Sequence, residues 1–414
     1  MIGLVAAAHA FCGTFVGAPG DTLVNRASQV VLARNGDTTT LTVTADYTGD
    51  AAEFGLLLPV PEVLTAEDVR TMDPTLIERV ATFSMPRNVA YTCDDLGEEW
   101  HDEGGVGCAD YGLAVEESGA VPSAGDDFES TVDVESQFEI DGYEIVVLSA
   151  EESAGLTAWL DANGYAVPEG GDDVLQEYID GGSYFLAARV SVDLTEPTSQ
   201  LLPLQFTYDS DVFGLPIRIG TISADGEQEV LVFTLAPSVV GVANYPEVTV
   251  EDECMWKDDG DGFAAYWDRQ LDDAFDGEAG WVSEYEWSLT AGCDPCTSVD
   301  GLTPEELDAL GLDGYHGYLT RLRLRYTPEQ ATQDVVLYET GGGDTGWYAS
   351  TGEQIRFIDY AEELERVFPV CGEGWVESPG ACPPGPAVVG CGVPLRGVGV
   401  AGVLAALALA RRRR

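Results

Sequence analysis

Hydrophobic and polar residues alternate with a period of two over long stretches of the chain, which is the pattern of half-buried β-strands. Residues 28–34 and 38–47 alternate in this way on either side of Asn35-Gly36-Asp37, so they predict a β-hairpin. The apolar run at 54–60 predicts a buried strand. Further strands are predicted at 144–148, 184–192, 202–208, 217–223 and 229–235.

Other stretches combine an N-terminal capping residue with apolar side chains at helical spacing. Asp73 is followed by a proline and then by apolar residues three and four positions apart, which predicts the start of a helix. Ser149 and Glu152 have the spacing of a capping box, and Thr303 is followed by a proline and two glutamates. Two more helices are predicted at 173–179 and 263–275. Together these elements predict an α+β fold of mixed, mainly antiparallel sheets with a few short helices.

Both ends of the chain have the features of export signals. The apolar residues that lead to Ala8-His9-Ala10 predict a signal peptide at 1–10, with cleavage after Ala10. At the other end, uncharged and mostly apolar residues precede Arg411–Arg414, which predicts a transmembrane tail at 387–414. Arginines that follow an apolar span lie in the cytoplasm, so the body of the protein is expected outside it.

Between these ends, the sequence predicts an extracytoplasmic body at 11–370 and a linker rich in Cys, Pro and Gly at 371–386. An insertion rich in Gly, Ser and acidic residues is predicted at 93–135. The body is long enough for two lobes, and their boundary is expected near 240–250.

The cysteines agree with an oxidising compartment and predict a body that is stapled by disulfides. Nine are present, and setting aside Cys391 in the tail leaves eight, an even number that suits four disulfides. Closure of short loops favours Cys93–Cys108, Cys371–Cys382 and Cys293–Cys296, which leaves Cys12–Cys254 by elimination. Eight cysteines allow many pairings, so the connectivity stays open.

The net charge of the chain argues against partners that carry many negative charges. The chain carries 73 acidic residues against 19 Lys and Arg, a formal net charge of −54. Phosphate recognition needs clustered basic residues, so we expect no nucleic acid partner and no electrostatic docking on anionic lipid.

The same acidity predicts a dependence on cations. No Lys or Arg occurs between Arg87 and Arg189, so the carboxylates in that stretch lack local partners. Diffuse screening by monovalent salt is favoured, and an ordered Ca²⁺ site is the alternative. The weak calcium candidates are Asp258, Asp259 and Asp261, whose loop lacks the third alternating acid and the closing Glu of an EF-hand. No other cofactor is expected.

Motifs that carry catalysis are scarce. The chain has three histidines and no nucleophile elbow, zinc-protease motif or phosphate-binding loop, so no catalytic residue is assigned. Cys293 and Cys296 form a Cys-x-x-Cys motif in acidic surroundings, which favours a structural disulfide over thiol–disulfide exchange or metal binding.

Three arginines form the most distinctive charged pattern. Arg321, Arg323 and Arg325 alternate with apolar residues, so a strand would place their guanidinium groups on one face. Such a face suits a carboxylate, a sulfate or an acidic glycan. The alternative is cross-strand pairing with acidic residues of the protein, for example Asp334 or Glu339.

Several segments resemble a bacterial family, domain of unknown function 2330. They are Cys12-Gly13 with "NRASQVVLAR", "FGLLLPVPEVL", "VVLSAEESAGLTAWLDANGYAVP", "CDPC" and "YLTRLRLRY" with "VVLYET". The resemblance covers about residues 12–340, and the acidic insertion departs from it. It implies an exported bacterial protein and assigns no activity or catalytic residue.

The tail resembles the C-terminal sorting tail typical of myxobacterial surface proteins. Gly390-Cys391-Gly392 precedes a run of Gly, Ala and Leu and then an arginine cluster. This resemblance implies interaction with export and sorting machinery, processing near Cys391 and display at the cell surface.

Three functions are compatible with these features. The favoured one is a membrane-tethered or surface-displayed, non-enzymatic module that binds an envelope or extracellular ligand or stabilises the envelope. The second is an extracytoplasmic hydrolase that uses paired carboxylates, which requires two acids in one pocket. The third is thiol–disulfide exchange at Cys293 and Cys296.

Overall fold

The computed structural model of the protein describes a set of ranges that together form most of its body. They are 13–17, 24–44, 46–48, 53–91, 131–168, 170–191, 202–224, 226–250, 255–256, 263–289, 301–312, 314, 316–340, 356–360, 387–389 and 393–395.

Strands dominate these ranges, and helices are few and short. The strands are β1 (Thr14–Gly17), β2 (Val24–Asn35), β3 (Thr38–Val43), β4 (Asp46–Thr48), β5 (Glu53–Val60), β6 (Val69–Thr71), β7 (Arg87–Tyr91), β8 (Val132–Ile140), β9 (Tyr143–Ala150), β10 (Tyr184–Ser191), β11 (Leu204–Asp209), β12 (Gly214–Leu215), β13 (Gln228–Ala236), β14 (Val240–Val242), β15 (Met255–Trp256), β16 (Gly280–Ser288), β17 (Tyr318–Tyr326), β18 (Val335–Glu339), β19 (Arg356–Tyr360), β20 (Ala387–Val389) and β21 (Val393–Leu395). The helices are α1 (Pro74–Phe83), α2 (Ser153–Ala162), α3 (Gly171–Asp180), α4 (Phe263–Phe275) and α5 (Pro304–Ala309), with a 3-10 helix at Ile219–Ser223.

Two large sheets organise the molecule. The five-stranded sheet has the order β1-β5-β10-β9-β8, and all its strand pairs are antiparallel. The eight-stranded sheet has the order β16-β17-β13-β2-β3-β11-β6, with β4 paired to β2. Its β13–β2 pair is parallel and the others are antiparallel. The predicted α+β fold with mixed, mainly antiparallel sheets is therefore confirmed.

The main core lies between these two sheets. Buried residues from β5, β9 and β10 of one sheet join buried residues from β2, β3, β11, β13 and β17 of the other in a single apolar cluster. Successive side chains of a strand point to opposite faces, so each sheet also has an outer face. Those outer faces carry the helices.

Each outer face has its own apolar cluster beneath the helices. On the eight-stranded sheet, α1 and α5 cover residues of β2, β13, β16 and β17, and α4 packs on Val282 of β16. On the five-stranded sheet, α2, α3 and the 3-10 helix cover Leu57, Leu148 and Phe185. The order of layers is therefore helices, sheet, sheet, helices.

Local signals placed most of the helices and the first hairpin correctly. β2 and β3 pair from Asn35 to Thr38, and Gly36 takes a φ of 61° in the turn, a conformation that glycine adopts without strain. Asp73 caps α1 by accepting a hydrogen bond from the amide of Thr75 at 2.9 Å. Thr303 and Glu306 form a complete capping box at the start of α5.

Two local predictions were wrong. The stretch 217–223 was predicted as a strand, but Ile219–Ser223 form the 3-10 helix, because Asp334 accepts the amide hydrogen of Arg218 and Tyr178 accepts that of Ile219. Ser149 does not cap a helix: it stays in β9 and its hydroxyl donates to Glu135 at 2.7 Å, while α2 begins at Ser153.

Several predicted boundaries fall in or near the described ranges. Strands from both sides of 240–250, where two lobes were expected to meet, lie in the eight-stranded sheet. Strand β8 begins at Val132, within the last residues of the expected acidic insertion, and 92–130 lie outside the described residues.

In the predicted tail, β20 and β21 form an antiparallel pair, and 396–414 lie outside the described residues. Across the parts that the structure describes, no helix has the length and apolar character needed to span a membrane.

Candidate functional site

The three arginines singled out from the sequence lie on β17, on the face that meets the helices. We call Arg321, Arg323 and Arg325 the arginine row. Strand β17 is buried along its whole length, because β13 and β16 flank it and helices cover its outer side. The arginines are 5%, 8% and 6% exposed, so their charges need partners inside the protein.

Glu284 on β16 is the first partner. It is fully buried and accepts hydrogen bonds from Nε of Arg321 and Nε of Arg323. Ser283 lies opposite Leu322 and Tyr285 lies opposite Arg321, so Glu284 is the extra residue of a β-bulge. The bulge places the Glu284 carboxylate between two arginines of the row.

Glu229 on β13 continues the chain of ion pairs. Its carboxylate accepts hydrogen bonds from Arg323 and, at 2.7 Å, from Nε of Arg325. Arg325 also donates to Asp272 of α4 at 2.7 Å, and its guanidinium lies 5.4 Å from the ring centre of Phe275. Three arginines thus alternate with three carboxylates across the sheet.

The row also fastens helices to the sheet. Arg321 donates to the carbonyl oxygen of Ala81 in α1 at 2.8 Å, and its guanidinium lies over the ring of Phe233. Arg325 reaches Asp272 in α4. The charged chain therefore joins α1, three strands and α4.

The electrostatics keep this chain ionised. Burial by itself raises the pKa of Glu284, but the charges of Arg323 and Arg321 outweigh it, so that pKa lies below its ordinary value. Burial lowers the pKa of Arg323, but Glu284 and Glu229 outweigh it and raise that pKa. The network of three arginines and three carboxylates is neutral as a whole, and its one exposed member is Asp272, whose side chain is 69% exposed at the end of the chain of ion pairs.

The carboxylate partners differ from the examples expected from the sequence. Asp334 and Glu339 lie on or next to β18, which belongs to a three-stranded sheet with β12 and β14 and does not pair with β17. The partners come from the two strands that flank β17 instead. Binding of an external anion by the arginine row stays a prediction.

A second candidate is a groove on the outer face of the five-stranded sheet, with a volume of about 470 Å³. Helices α2 and α3 cover one end of that face, and the groove lies toward the other end. Gly55 of β5, Ala187 of β10 and Val146 of β9 form its floor. We call it the outer groove.

Two aromatic side chains form one wall of the outer groove. Trp159 lies near the end of α2, and Tyr165 follows the turn after that helix; both are half-buried. A Cβ atom at position 55 would lie 3.3 Å from the ring of Tyr165 and 3.0 Å from Val16, so glycine at this position lets the ring lie close to the strand. The opposite wall comes from β8, where Val134 is 50% exposed.

Polar side chains stand around this apolar floor. Asn163 donates to the carbonyl of Trp159 at 2.8 Å, and Gln137 lines the groove from β8. Arg189 and Glu144 lie opposite each other on β10 and β9 and form an ion pair at 3.5 Å. They are the charged residues among the lining side chains, so the lining carries no net charge.

The other predicted site residues lie outside the described residues. They are the disulfide candidates Cys12, Cys93, Cys108, Cys254, Cys293, Cys296, Cys371 and Cys382, the calcium candidates Asp258, Asp259 and Asp261, and the processing residues Ala10 and Cys391. Within the described ranges, no group of three or more His, Cys, Asp and Glu residues is placed to hold a metal ion. Of the three histidines, His316 lies within the described ranges, and its side chain is exposed.

The sequence did not reveal the outer groove or the carboxylates that pair with the arginine row. Trp159 has helical spacing to Leu156 and Leu160, so the sequence pattern alone places it on the apolar face of α2 and does not distinguish it from a core residue. Glu229 stands at the start of an apolar strand, and a single acidic residue at that position gives little indication that its side chain is buried. Glu284 alternates with Tyr285 just as Glu286 does, so the sequence pattern gives no local sign of the bulge that buries Glu284.

A family model matches residues 6–338, and its description is "Uncharacterized protein conserved in bacteria (DUF2330)". The match includes the arginine row, its carboxylate partners and every residue that lines the outer groove. No curated protein and no solved structure matches the chain.

Proposed function

The chain belongs to the DUF2330 family of bacterial proteins, and from this premise we propose that it is an exported, non-enzymatic binding module of the cell envelope. In this proposal the body lies outside the cytoplasm, tethered to the membrane or displayed at the surface. The ligand is a component of the envelope or of its surroundings, and the outer groove binds it.

The observation that carries the binding role is the outer groove. Its volume lies in the range typical of small-ligand sites, and apolar and aromatic side chains combine there with a few polar groups, as such sites require. The groove rests on a two-sheet framework with three further apolar clusters, so its floor is held on rigid elements.

Export and tethering are supported by the chain ends. The proposed signal peptide at 1–10 and the apolar tail at 387–414 with its arginines both favour transit through the inner membrane. Export and sorting machinery would then act at Ala10 and near Cys391. Eight cysteines outside the tail favour disulfides in the body.

Protease accessibility tests the export proposal. Intact cells that produce the full chain are treated with an external protease, and the cysteines are assayed for free thiols. We expect digestion of the body and oxidised cysteines. A body that fractionates with the cytosol and has reduced cysteines would overturn this part of the proposal.

Sedimentation with isolated cell envelopes tests the binding role. The purified full chain, kept in a detergent that solubilises its apolar tail, is mixed with detergent-extracted, lipid-free envelopes of the bacterium that produces it and compared with Trp159→Ala and with Tyr338→Ala. Tyr338 is an exposed aromatic residue of β18 outside the groove, so its truncation is a matched control. We expect the wild type and the control to sediment with the envelopes and Trp159→Ala to stay in solution. Equal sedimentation of all three, or of none, contradicts binding through the groove.

A further inference from the structure

We infer that the outer groove binds an uncharged sugar ring of an envelope or extracellular polysaccharide. This inference rests on the proposed function, because it names the ligand class of the same groove. Three properties of the lining carry it: its charge, its aromatic wall and the placement of its polar groups.

Charge excludes anionic ligands. The protein has a net charge of −54, so an approaching anion is repelled by the molecule as a whole. Within the groove, the guanidinium of Arg189 faces Glu144 at 3.5 Å, so its charge is already compensated. A uronic acid, a phosphate or a sulfated sugar would therefore meet repulsion from the molecule as a whole, with only the guanidinium that Arg189 already shares with Glu144 to offset it, whereas an uncharged ligand would not be repelled.

The aromatic wall and the sheet floor favour a flat ligand with apolar faces. Trp159 and Tyr165 stand beside a floor of small and apolar side chains, namely Gly55, Val146 and Ala187. The C–H faces of a pyranose ring pack against aromatic rings and small apolar side chains. The close approach of Tyr165 to Gly55 fixes the position of this wall relative to the floor.

The polar groups favour a polyol over an acyl chain. Gln137 and Asn163 bring side-chain amides to the groove, and Arg189 and Glu144 add donors and acceptors at the sheet surface. Sugar hydroxyl groups both donate and accept hydrogen bonds, so they can satisfy these groups around an apolar ring face. An acyl chain would desolvate the same polar groups without replacing their hydrogen bonds, which costs free energy.

Calorimetric titration of the full chain with four hexose oligomers tests the inference. The probes are a cello-oligosaccharide and an N-acetylglucosamine oligomer, both uncharged, an anionic oligogalacturonate and a cationic glucosamine oligomer. We expect at least one uncharged oligomer to bind with an affinity that persists in high salt, and the oligogalacturonate not to bind. The cationic oligomer binds through general charge attraction, so its affinity should fall as salt rises.

Variants tie this binding to the groove. Trp159→Ala should weaken binding of the uncharged oligomer about tenfold or more, as truncation of an aromatic anchor does. Gln137→Ala, an exposed change that leaves the core intact, should weaken it about threefold to tenfold through one lost hydrogen bond. Tyr338→Ala should leave the affinity unchanged.

Failure of this inference is distinct from failure of the proposed function. If neither uncharged oligomer binds, or if the oligogalacturonate binds as tightly, the sugar inference is wrong, whether or not envelopes still bind. Binding of an uncharged oligomer that is unaffected by Trp159→Ala and Gln137→Ala also overturns it. Trp159-dependent sedimentation with envelopes would then still support the proposed binding role.

Discussion

At the residue scale, Arg323 is the central charge of the buried row. Its guanidinium contacts both Glu284 and Glu229, because its five N–H donors lie in one rigid plane and two of them reach different carboxylates. Removing one partner from a buried network leaves an uncompensated charge, which costs far more than the loss of an exposed pair.

We predict that Arg323→Met destabilises the protein by about 3–5 kcal/mol, because Glu284 and Glu229 then share one fewer arginine in a dry interior. The measurement is urea unfolding of the full chain, followed by circular dichroism. Arg189→Met is the matched control, since its ion pair with Glu144 is exposed and such pairs contribute about 0–1 kcal/mol. Equal costs for the two variants would show that the row does not carry the assigned stability.

At the element scale, the 3-10 helix at Ile219–Ser223 depends on Asp334. Its carboxylate accepts the amide hydrogen of Arg218 at 3.0 Å and the hydroxyl of Tyr178 at 2.7 Å. Tyr178 in turn accepts the amide hydrogen of Ile219 at 3.2 Å. These contacts join α3, the 3-10 helix and the start of β18, and they replace the sheet hydrogen bonds that a strand at this position would need.

The pH dependence of an Asp334→Asn variant tests this arrangement. Burial raises the pKa of Asp334, although its hydrogen bonds and Arg218 partly oppose the rise. A raised folded-state pKa means that the folded protein binds the proton more tightly than the unfolded chain, so this contribution to stability is present at low pH and lost as pH rises through the folded pKa. The side-chain oxygen of an asparagine can still accept the hydrogen bonds that Arg218 and Tyr178 donate to Oδ1, and asparagine carries no charge.

We therefore expect Asp334→Asn to gain stability relative to the wild type as pH rises from about 4 to about 7. Above the ordinary Asp pKa of about 3.9, folding of the wild type is penalised because its buried carboxyl resists ionisation, and asparagine has no such penalty. Thermal unfolding at a series of pH values measures the difference. Asp73→Asn is the control, because hydrogen bonds from Thr75 lower the pKa of Asp73, so its stability relative to the wild type should fall as pH rises to the ordinary Asp pKa and stay constant above about pH 5. A difference for Asp334→Asn that does not change with pH would refute the expected penalty.

At the scale of the whole molecule, net charge opposes the compact state. With a charge of −54, the carboxylates repel one another, and screening by salt should relieve that repulsion. The arginine row and its three carboxylate partners sum to zero charge and are buried except for Asp272, so their contribution should change little with ionic strength. Surface charge is therefore the part of the molecule that salt affects.

We predict a melting temperature that rises smoothly with NaCl as the Debye length falls from about 10 Å at 0.1 M to about 3 Å at 1 M. Millimolar Ca²⁺ should add little at high NaCl if screening is diffuse. A saturable Ca²⁺ shift that survives in high NaCl would instead indicate the ordered site. A melting temperature that responds to neither would exclude both alternatives.

The sequence by itself determined the features whose signals are local. A hairpin at Asn35-Gly36, the cap at Asp73, the capping box at Thr303 and the bounds of α4 depend on residues a few positions apart, and all are present. Hydrophobic periodicity also indicated the α+β class, because the spacing of apolar residues in each strand and helix shows which of its faces is buried.

Only the tertiary structure decided which residues meet across long separations in the chain. Glu229 lies 94 positions from Arg323, and Glu284 lies 39 positions from it. The sequence pattern of neither segment predicts the strand order that brings them together. The wall and floor of the outer groove come from β5, β9, β10, α2 and the turn after α2. A period-two pattern shows that a side chain is buried or exposed, but the partner that it meets depends on which strands become neighbours, and that is settled by packing of the whole chain.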